Sequence, residues 1–302
     1  MAFEWPSGMD AGFGRQTYRA RHDLHESPLF SDEGLAGLLD TYPREKLGVY
    51  RFPPHGEGIT RAAHGRAPDI SGRDLLAAVR DGQIWLNLRA VNRQVEAFSE
   101  IEEMIFGSIE AAAGLRTRKR DVGVLISSPR IQVHYHLDIP LVCLVQVRGV
   151  KTLHLYPAGA PYAGAEQVEA IALRLQDEEL TFRQGFEAGA EVIELHPGMA
   201  LTWPQNAPHR VENADCLNVS LSCEFMTLPA LLRANALYTN GQLRRRLGLD
   251  PALPGGAGPS VLGKAVIARG LKLVDRPPEA APTPVTFEVQ AGSGEIRDLA
   301  DA

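Results

Sequence analysis

Gly198-Met199-Ala200-Leu201-Thr202-Trp203-Pro204-Gln205-Asn206-Ala207-Pro208-His209-Arg210-Val211-Glu212-Asn213 is the run on which the fold turns. A strand-like stretch ends at Pro204, a tight turn follows, and the chain leaves it through a histidine. Asn206 stands inside that turn, where its short side chain tolerates the left-handed backbone that otherwise calls for glycine. The same texture continues on the N-terminal side. Short β-rich runs punctuated by Gly and Pro occupy Val122 to Ile126, Ile131 to His136, Leu141 to Val147, Lys151 to Tyr156, Glu191 to Leu195, Met199 to Thr202 and Leu217 to Phe225. Together they predict a β barrel or sandwich over 121–228.

Within that region, Val133-His134-Tyr135-His136-Leu137-Asp138 concentrates the chemistry. Strand alternation puts His134, His136 and Asp138 on one face and Val133, Tyr135 and Leu137 on the other. Burying two imidazoles and a carboxylate without a partner costs several kcal/mol, roughly, and a divalent cation satisfies all three at once. A lone His-x-Asp recurs by chance, and a hydrogen-bonded cluster is the bland alternative. His209, in the turn, supplies the independent third group.

The flanks read differently. Residues 1–120 are mostly helical with strand candidates between. Ser31 precedes an apolar run at Leu35, Leu38 and Leu39, Ser71 precedes Leu75, Leu76 and Val79, and a third helix is expected over Val95 to Ala113. Leu47 to Phe52 and Gln83 to Leu88 are short strand candidates. A segment at about 164–186 interrupts the barrel with an inserted helix able to cover its mouth. Helical period returns over 229–274, and 275–302, with its prolines and alanines, reads as a flexible or loosely docked tail.

Composition narrows the function. With 37 acidic against 31 basic residues and a net charge of −6, neither nucleic acid nor an anionic membrane is an expected partner. Met1 to Gly14 carries Glu4 and Asp10 and has no positive segment followed by an apolar one, so a signal peptide is not expected and a cytoplasmic protein is. Cys143, Cys216 and Cys223 lie in strand-like segments at no zinc-like spacing and read as reduced, buried thiols. His22, His25, His55, His64, His154 and His196 have no motif context.

The 198–213 run resembles the second motif of the cupin superfamily, in which Gly, five residues, Pro, one residue, Gly, two residues, His, three residues and Asn follow in order. Asn206 replaces the inner glycine. That resemblance makes His209 a metal ligand. The sequence Gln146-Val147-Arg148-Gly149-Val150-Lys151 followed by Thr152 to Pro157 narrows the likeness to the JmjC or cupin-like hydroxylase branch. There a lysine fifteen residues after the first ligand histidine binds the distal carboxylate of 2-oxoglutarate, and Lys151 holds that position. The physical need is a cation for a dicarboxylate buried in a barrel.

The resemblance implies a double-stranded β-helix flanked by helices, Fe(II) held by His136, Asp138 and His209, 2-oxoglutarate as cosubstrate with O2, and hydroxylation of a protein, peptide or small molecule. It also implies a homodimer surface on the helix from Leu228, unless that helix packs on the barrel. Two family positions depart: where Thr and Asn often touch the cosubstrate, this chain has Val133 and Val142, which donate nothing. Asn218, Ser220 and Ser222 on the last barrel strand are the replacements expected. His134 is left as a residue behind the ligands or on the substrate side, or as a satisfied core histidine. Rival readings are a 2-oxoglutarate-independent cupin enzyme using His134, His136 and His209, and a non-enzymatic metal or ligand sensor.

Overall fold

Capping residues open the helices where the sequence places them. The computed structural model describes residues 3–255, 258–274, 283–290 and 295–299. Two short strands, β1 (Phe3–Glu4) and β2 (Tyr18–His22), precede α1 (Asp32–Thr41), whose Gly34 N–H donates to Ser31 Oγ at 3.1 Å. Next come β3 (Leu47–Arg51), β4 (Ala63–Arg66) and α2 (Gly72–Asp81), capped by Ser71, which accepts from Asp74 N–H at 3.1 Å. The N-terminal region ends with β5 (Trp85–Leu88), α3 (Val91–Gln94) and α4 (Ala97–Ala113).

Seven strands follow the sequence reading closely: β6 (Arg118–Ser127), β7 (Gln132–His136), β8 (Leu141–Arg148), β9 (Lys151–Leu155), then, after α5 (Ala165–Ala172), β10 (Glu191–Leu195), β11 (Met199–Thr202) and, further on, β13 (Asn218–Met226). Between the last two lies β12 (His209–Asn213), a strand where the sequence suggested only the far side of a turn. Then come α6 (Leu228–Leu247), α7 (Pro259–Val274), β14 (Val285–Val289) and β15 (Ile296–Asp298). No helix among the described residues is long and apolar enough to cross a membrane.

The strands form two sheets. Eleven run in the order β1-β2-β11-β8-β13-β6-β5-β3-β4-β14-β15, four in the order β10-β9-β12-β7, and β14 against β4 is the parallel pair. The larger sheet buries one face under α1, α2 and α4, where Leu35, Leu39, Leu75, Ile105 and Phe106 meet Val124, Val145 and Leu221. Each such side chain contributes about 1.5–3 kcal/mol of burial. Its other face meets the smaller sheet, with Val142, Leu144, Leu201 and Trp203 against Leu153, Leu155 and Ile193. Side-chain alternation therefore gives the central strands two apolar faces, except where polar residues line a cavity between the sheets.

Two expectations need correcting. The N-terminal region is less helical than its periodicity suggests: β3 and β5 fall on the two strand candidates, but β1, β2 and β4 also join the larger sheet, and strands of two to five residues leave little pattern. And of the tail, 275–282, 291–294 and 300–302 lie outside the described residues, while in the described part β14 pairs with β4 and Phe287 is 1% exposed in the main core.

Candidate metal centre

His136 ends β7 and His209 begins β12, and the two strands pair antiparallel with these residues directly opposite. Their rings stand 4.2 Å apart between centroids. Asp138, two residues past His136, brings its Oδ2 to 3.5 Å from His209 Nε2. One ligating atom from each of His136, Asp138 and His209 lies within 4.8 Å of the others, the one such group of three among the described residues.

Backbone carbonyls set both imidazole tautomers. His136 Nδ1 lies 2.7 Å from the His134 carbonyl and His209 Nδ1 lies 3.2 Å from the Ala207 carbonyl. A carbonyl only accepts, so each Nδ1 carries the hydrogen and each Nε2 keeps a lone pair. Burial, then the neighbouring His136, holds His209 well below its ordinary value. Burial raises the Asp138 carboxyl despite the opposing pull of His136 and Arg89. Both shifts express one lack: the site has donor atoms and no positive charge between them, which is the chemistry a divalent cation meets.

The turn through Asn206 braces this arrangement. Asn206 has φ of 63°, the left-handed backbone expected of it. Its Nδ2 donates to the Asp138 carbonyl at 2.9 Å, and its Oδ1 accepts from Arg233 Nε of α6 at 3.1 Å. Gln205 Nε2 donates to the Ile139 carbonyl at 2.9 Å. The segment bearing Asp138 is thus tied to the turn that delivers His209.

A cavity of about 540 Å³ opens between the sheets and reaches the triad. Lys151 lines it, 4% exposed, as the first residue of β9. No described carboxylate pairs with its ammonium, and burial alone pushes it down to about 8. The turn before it needs Gly149, at φ of 71°, where a Cβ would stand 2.3 Å from the Leu217 carbonyl oxygen.

The remaining expected residues separate. Ser222 lines the cavity. Asn218 and Ser220 do not: Ser220 Oγ donates to Gln146 Oε1 at 2.6 Å and Gln146 Nε2 donates to Asn218 Oδ1 at 2.9 Å, a closed buried network. Val133 and Val142 contribute apolar wall. His134 borders the cavity but does not join the triad, because Nε2 and Nδ1 lie 2.8 and 3.0 Å from the Pro53 and Thr60 carbonyls. Cys143 and Cys223 are buried free thiols, whereas Cys216 is half-buried and accepts from Val150 N–H at 3.4 Å.

Residues with no sequence signal complete the mouth. Tyr50, Phe52 and Trp85 cluster on one side, the Tyr50 and Trp85 rings tilted with centroids 5.1 Å apart and Phe52 edge-on to Trp85. Asp121, Glu178 and Glu224 stand near Asp138 with Arg89; burial first, then the Asp138 and Glu178 charges, pushes Glu224 up to about 8. Residues 178–180 run along the open edge of β7, with Leu180 N–H donating to the Tyr135 carbonyl at 2.9 Å.

A two-sheet β core with a cavity ending at two histidines and a carboxylate is the arrangement the cupin-like oxygenase resemblance led one to expect, and comparison with solved structures supports that at the level of fold. The chain is similar to E. coli YcfD, with a TM-score of 0.51 and 18% identity over 92% of this chain and 70% of that one. A second structure, of YcfD as a ribosomal oxygenase from Escherichia coli in complex with cobalt and 2-oxoglutarate, aligns with a TM-score of 0.50 and 18% identity over 91% of this chain and 69% of that one. No family model and no curated protein matches the sequence.

Proposed function

We propose that the protein is an Fe(II)- and 2-oxoglutarate-dependent oxygenase, with His136, Asp138 and His209 as the metal ligands and Lys151 as the anchor for the distal carboxylate of 2-oxoglutarate. The two facing sheets are then the two sheets of a double-stranded β-helix. The observation that carries this reading is Lys151 itself. A buried ammonium without a counter-ion, lining the cavity that ends at three inward-facing metal donors, calls for an anion long enough to span both. The binding of cobalt and 2-oxoglutarate by YcfD agrees with it.

When bound, the metal supplies the reductive activation of O2 that couples decarboxylation of 2-oxoglutarate to oxidation of a substrate. The chain's part is to hold and to exclude. The two Nε2 lone pairs and the Asp138 carboxylate would hold the ion, the Asn206 turn keeps these three groups together, and Leu144, Leu153 and Trp203 line the cavity with apolar wall that keeps water from the reacting groups. The aromatic and acidic mouth receives the substrate, a protein side chain, a peptide or a small molecule. His134, with both ring nitrogens against carbonyl oxygens, favours His136 with Asp138 over His134 with His136 as the ligand pair. Exposed Leu262, Val266 and Leu273 on α7 support a homodimer through the C-terminal helices, which sedimentation of Val266→Asp beside the wild type checks.

The test is succinate production. Protein purified without oxygen, loaded with Fe(II) and given 2-oxoglutarate in air is expected to form succinate slowly even without substrate, and Asp138→Ala and Lys151→Ala are expected to abolish it. Wild-type protein that binds Fe(II) yet has no affinity for 2-oxoglutarate defeats the reading and favours a 2-oxoglutarate-independent cupin enzyme.

A further inference from the structure

His136 and His209 are held by the ladder between β7 and β12, but Asp138 lies past the end of β7 and has no strand partner among the described residues. Its carbonyl instead accepts from Asn206 Nδ2 at 2.9 Å, and the next carbonyl, that of Ile139, accepts from Gln205 Nε2 at 2.9 Å. Both amides are fastened in turn to the start of α6. Gln205 Nε2 also donates to the Ala230 carbonyl at 3.3 Å, and Asn206 Oδ1 accepts from Arg233 Nε at 3.1 Å. Ala230 and Arg233, three residues apart, lie on one side of the helix. The Arg233 guanidinium is half-buried, burial lowers its value, and no carboxylate among the described residues pairs with it. Its hydrogen bonds go to neutral acceptors, Asn206 Oδ1 and, through Nη1, the Pro254 carbonyl. An apolar side chain of similar length would avoid that desolvation, so fold stability alone does not account for a cation here. What the cation adds is control of one amide. With Oδ1 occupied by a donor, the NH2 group of Asn206 must face the Asp138 carbonyl, and the positive charge polarises the amide and strengthens that second bond. The far end of the guanidinium is anchored too, because Asn240 Nδ2 donates to the Ala252 carbonyl at 3.0 Å and Arg244 Nη2 to the Pro251 carbonyl at 3.2 Å, which ties the segment bearing Pro254 to α6.

We propose that Arg233 is a positioning residue for the metal: by orienting and polarising the Asn206 amide it fixes the backbone that carries Asp138, so that α6 is a working part of the divalent-cation site. The proposal rests on the ligand assignment above and is independent of the cosubstrate. It makes the third ligand, the one outside the strand ladder, depend on a side chain that touches neither the metal nor the cavity lining.

Metal binding tests this without turnover. Co(II), whose visible absorption reports the geometry of its ligands, is titrated into wild type, Arg233→Met, Asn206→Gly and the double variant, with a melting curve for each metal-free protein. Arg233→Met is expected to bind Co(II) about ten- to a hundredfold more weakly, as for the loss of a group that orients a metal ligand, and with an altered absorption spectrum. Its metal-free form is expected to melt at or above the wild-type temperature. Placed on Asn206→Gly, the same substitution is expected to change neither affinity nor spectrum further, because the amide it acts through is gone. If Arg233→Met does not fold, Arg233→Lys, which keeps the charge but loses the two-pronged donor, is read in the same way. Wild-type affinity and spectrum in the Arg233 variant, or equal weakening with and without the Asn206 side chain, overturns the role of Arg233 and leaves the oxygenase reading standing. Wild-type protein that binds no Co(II) overturns the ligand assignment, and this proposal with it.

Discussion

Lys151 shows how a single side chain sets stability against function. Its folded-state value, pushed down to about 8 by burial, lies below the ordinary 10.5 of a free lysine. Between those values the unfolded chain holds a proton that the folded chain gives up, so stability rises with pH through that window, and below pH 8 the full penalty of a buried charge applies. At 1.36 kcal/mol per unit the penalty is about 3 kcal/mol. The uncharged, similarly shaped Lys151→Met is therefore expected to stabilise the ligand-free protein at pH 7 by up to about 3 kcal/mol, with the gain disappearing toward pH 10.5, as denaturant unfolding at several pH values would record. Saturating metal and 2-oxoglutarate should reverse the order, because only wild type gains from the bound anion. No gain at pH 7 would mean that the ammonium has a counter-ion in solution. Lys151, His136, Asp138 and His209 were legible in the sequence because each belongs to a motif of fixed spacing. Trp85 and Glu224 were not, because their places depend on cross-strand register with residues far along the chain.

At the scale of elements, the turn between β11 and β12 does two jobs that substitution can separate. Asn206 adopts a left-handed backbone and also tethers the Asp138 carbonyl and Arg233. Asn206→Gly keeps the backbone and removes the tether, whereas Asn206→Ala loses both. Glycine is expected to leave the melting temperature near that of wild type while weakening metal binding, and alanine to destabilise the fold by about 1–2 kcal/mol further, from the cost of a Cβ in that backbone. Metal titration beside thermal melts checks both. Equal metal affinity in wild type and Asn206→Gly would mean that the turn fixes His209 without help from the side chain. The motif made the left-handed turn readable. The tether to Asp138 was hidden, because spacing says nothing of what an amide reaches on a neighbouring segment. The same limit explains β12: five residues beginning His209-Arg210 carry no clear alternation, and they form a strand because β7 and β9 flank them on either side.

For the whole molecule, β8 and β13 were readable because they are long, largely apolar runs buried on both faces, while the outer part of the larger sheet was not. β4 is short and polar, β14 is a five-residue alternation of apolar and polar residues, and they exist because they pair across more than two hundred residues of chain. What fastens them is one aromatic ring. Phe287 lies over Gly65, where a Cβ would stand 2.3 Å from the ring, and Arg51 sits 5.3 Å above it. Gly65 thus leaves room for a residue that composition assigned to a loose tail. A tail that merely drapes over the surface would be indifferent to losing this ring, within about 0.5 kcal/mol. A tail that completes the core would not. Phe287→Ala is expected to cost about 3 kcal/mol, the low end for a buried phenylalanine because β14 is an outer strand, and denaturant unfolding measures it. Since β4 pairs with β3, and β3 with β5, which carries Trp85 at the cavity mouth, the loss should reach the site as well: with Trp203, which also lines the cavity, replaced by Phe in both proteins, the tryptophan fluorescence of Phe287→Ala is expected to respond less to 2-oxoglutarate than that of its parent, even under conditions where both are fully folded.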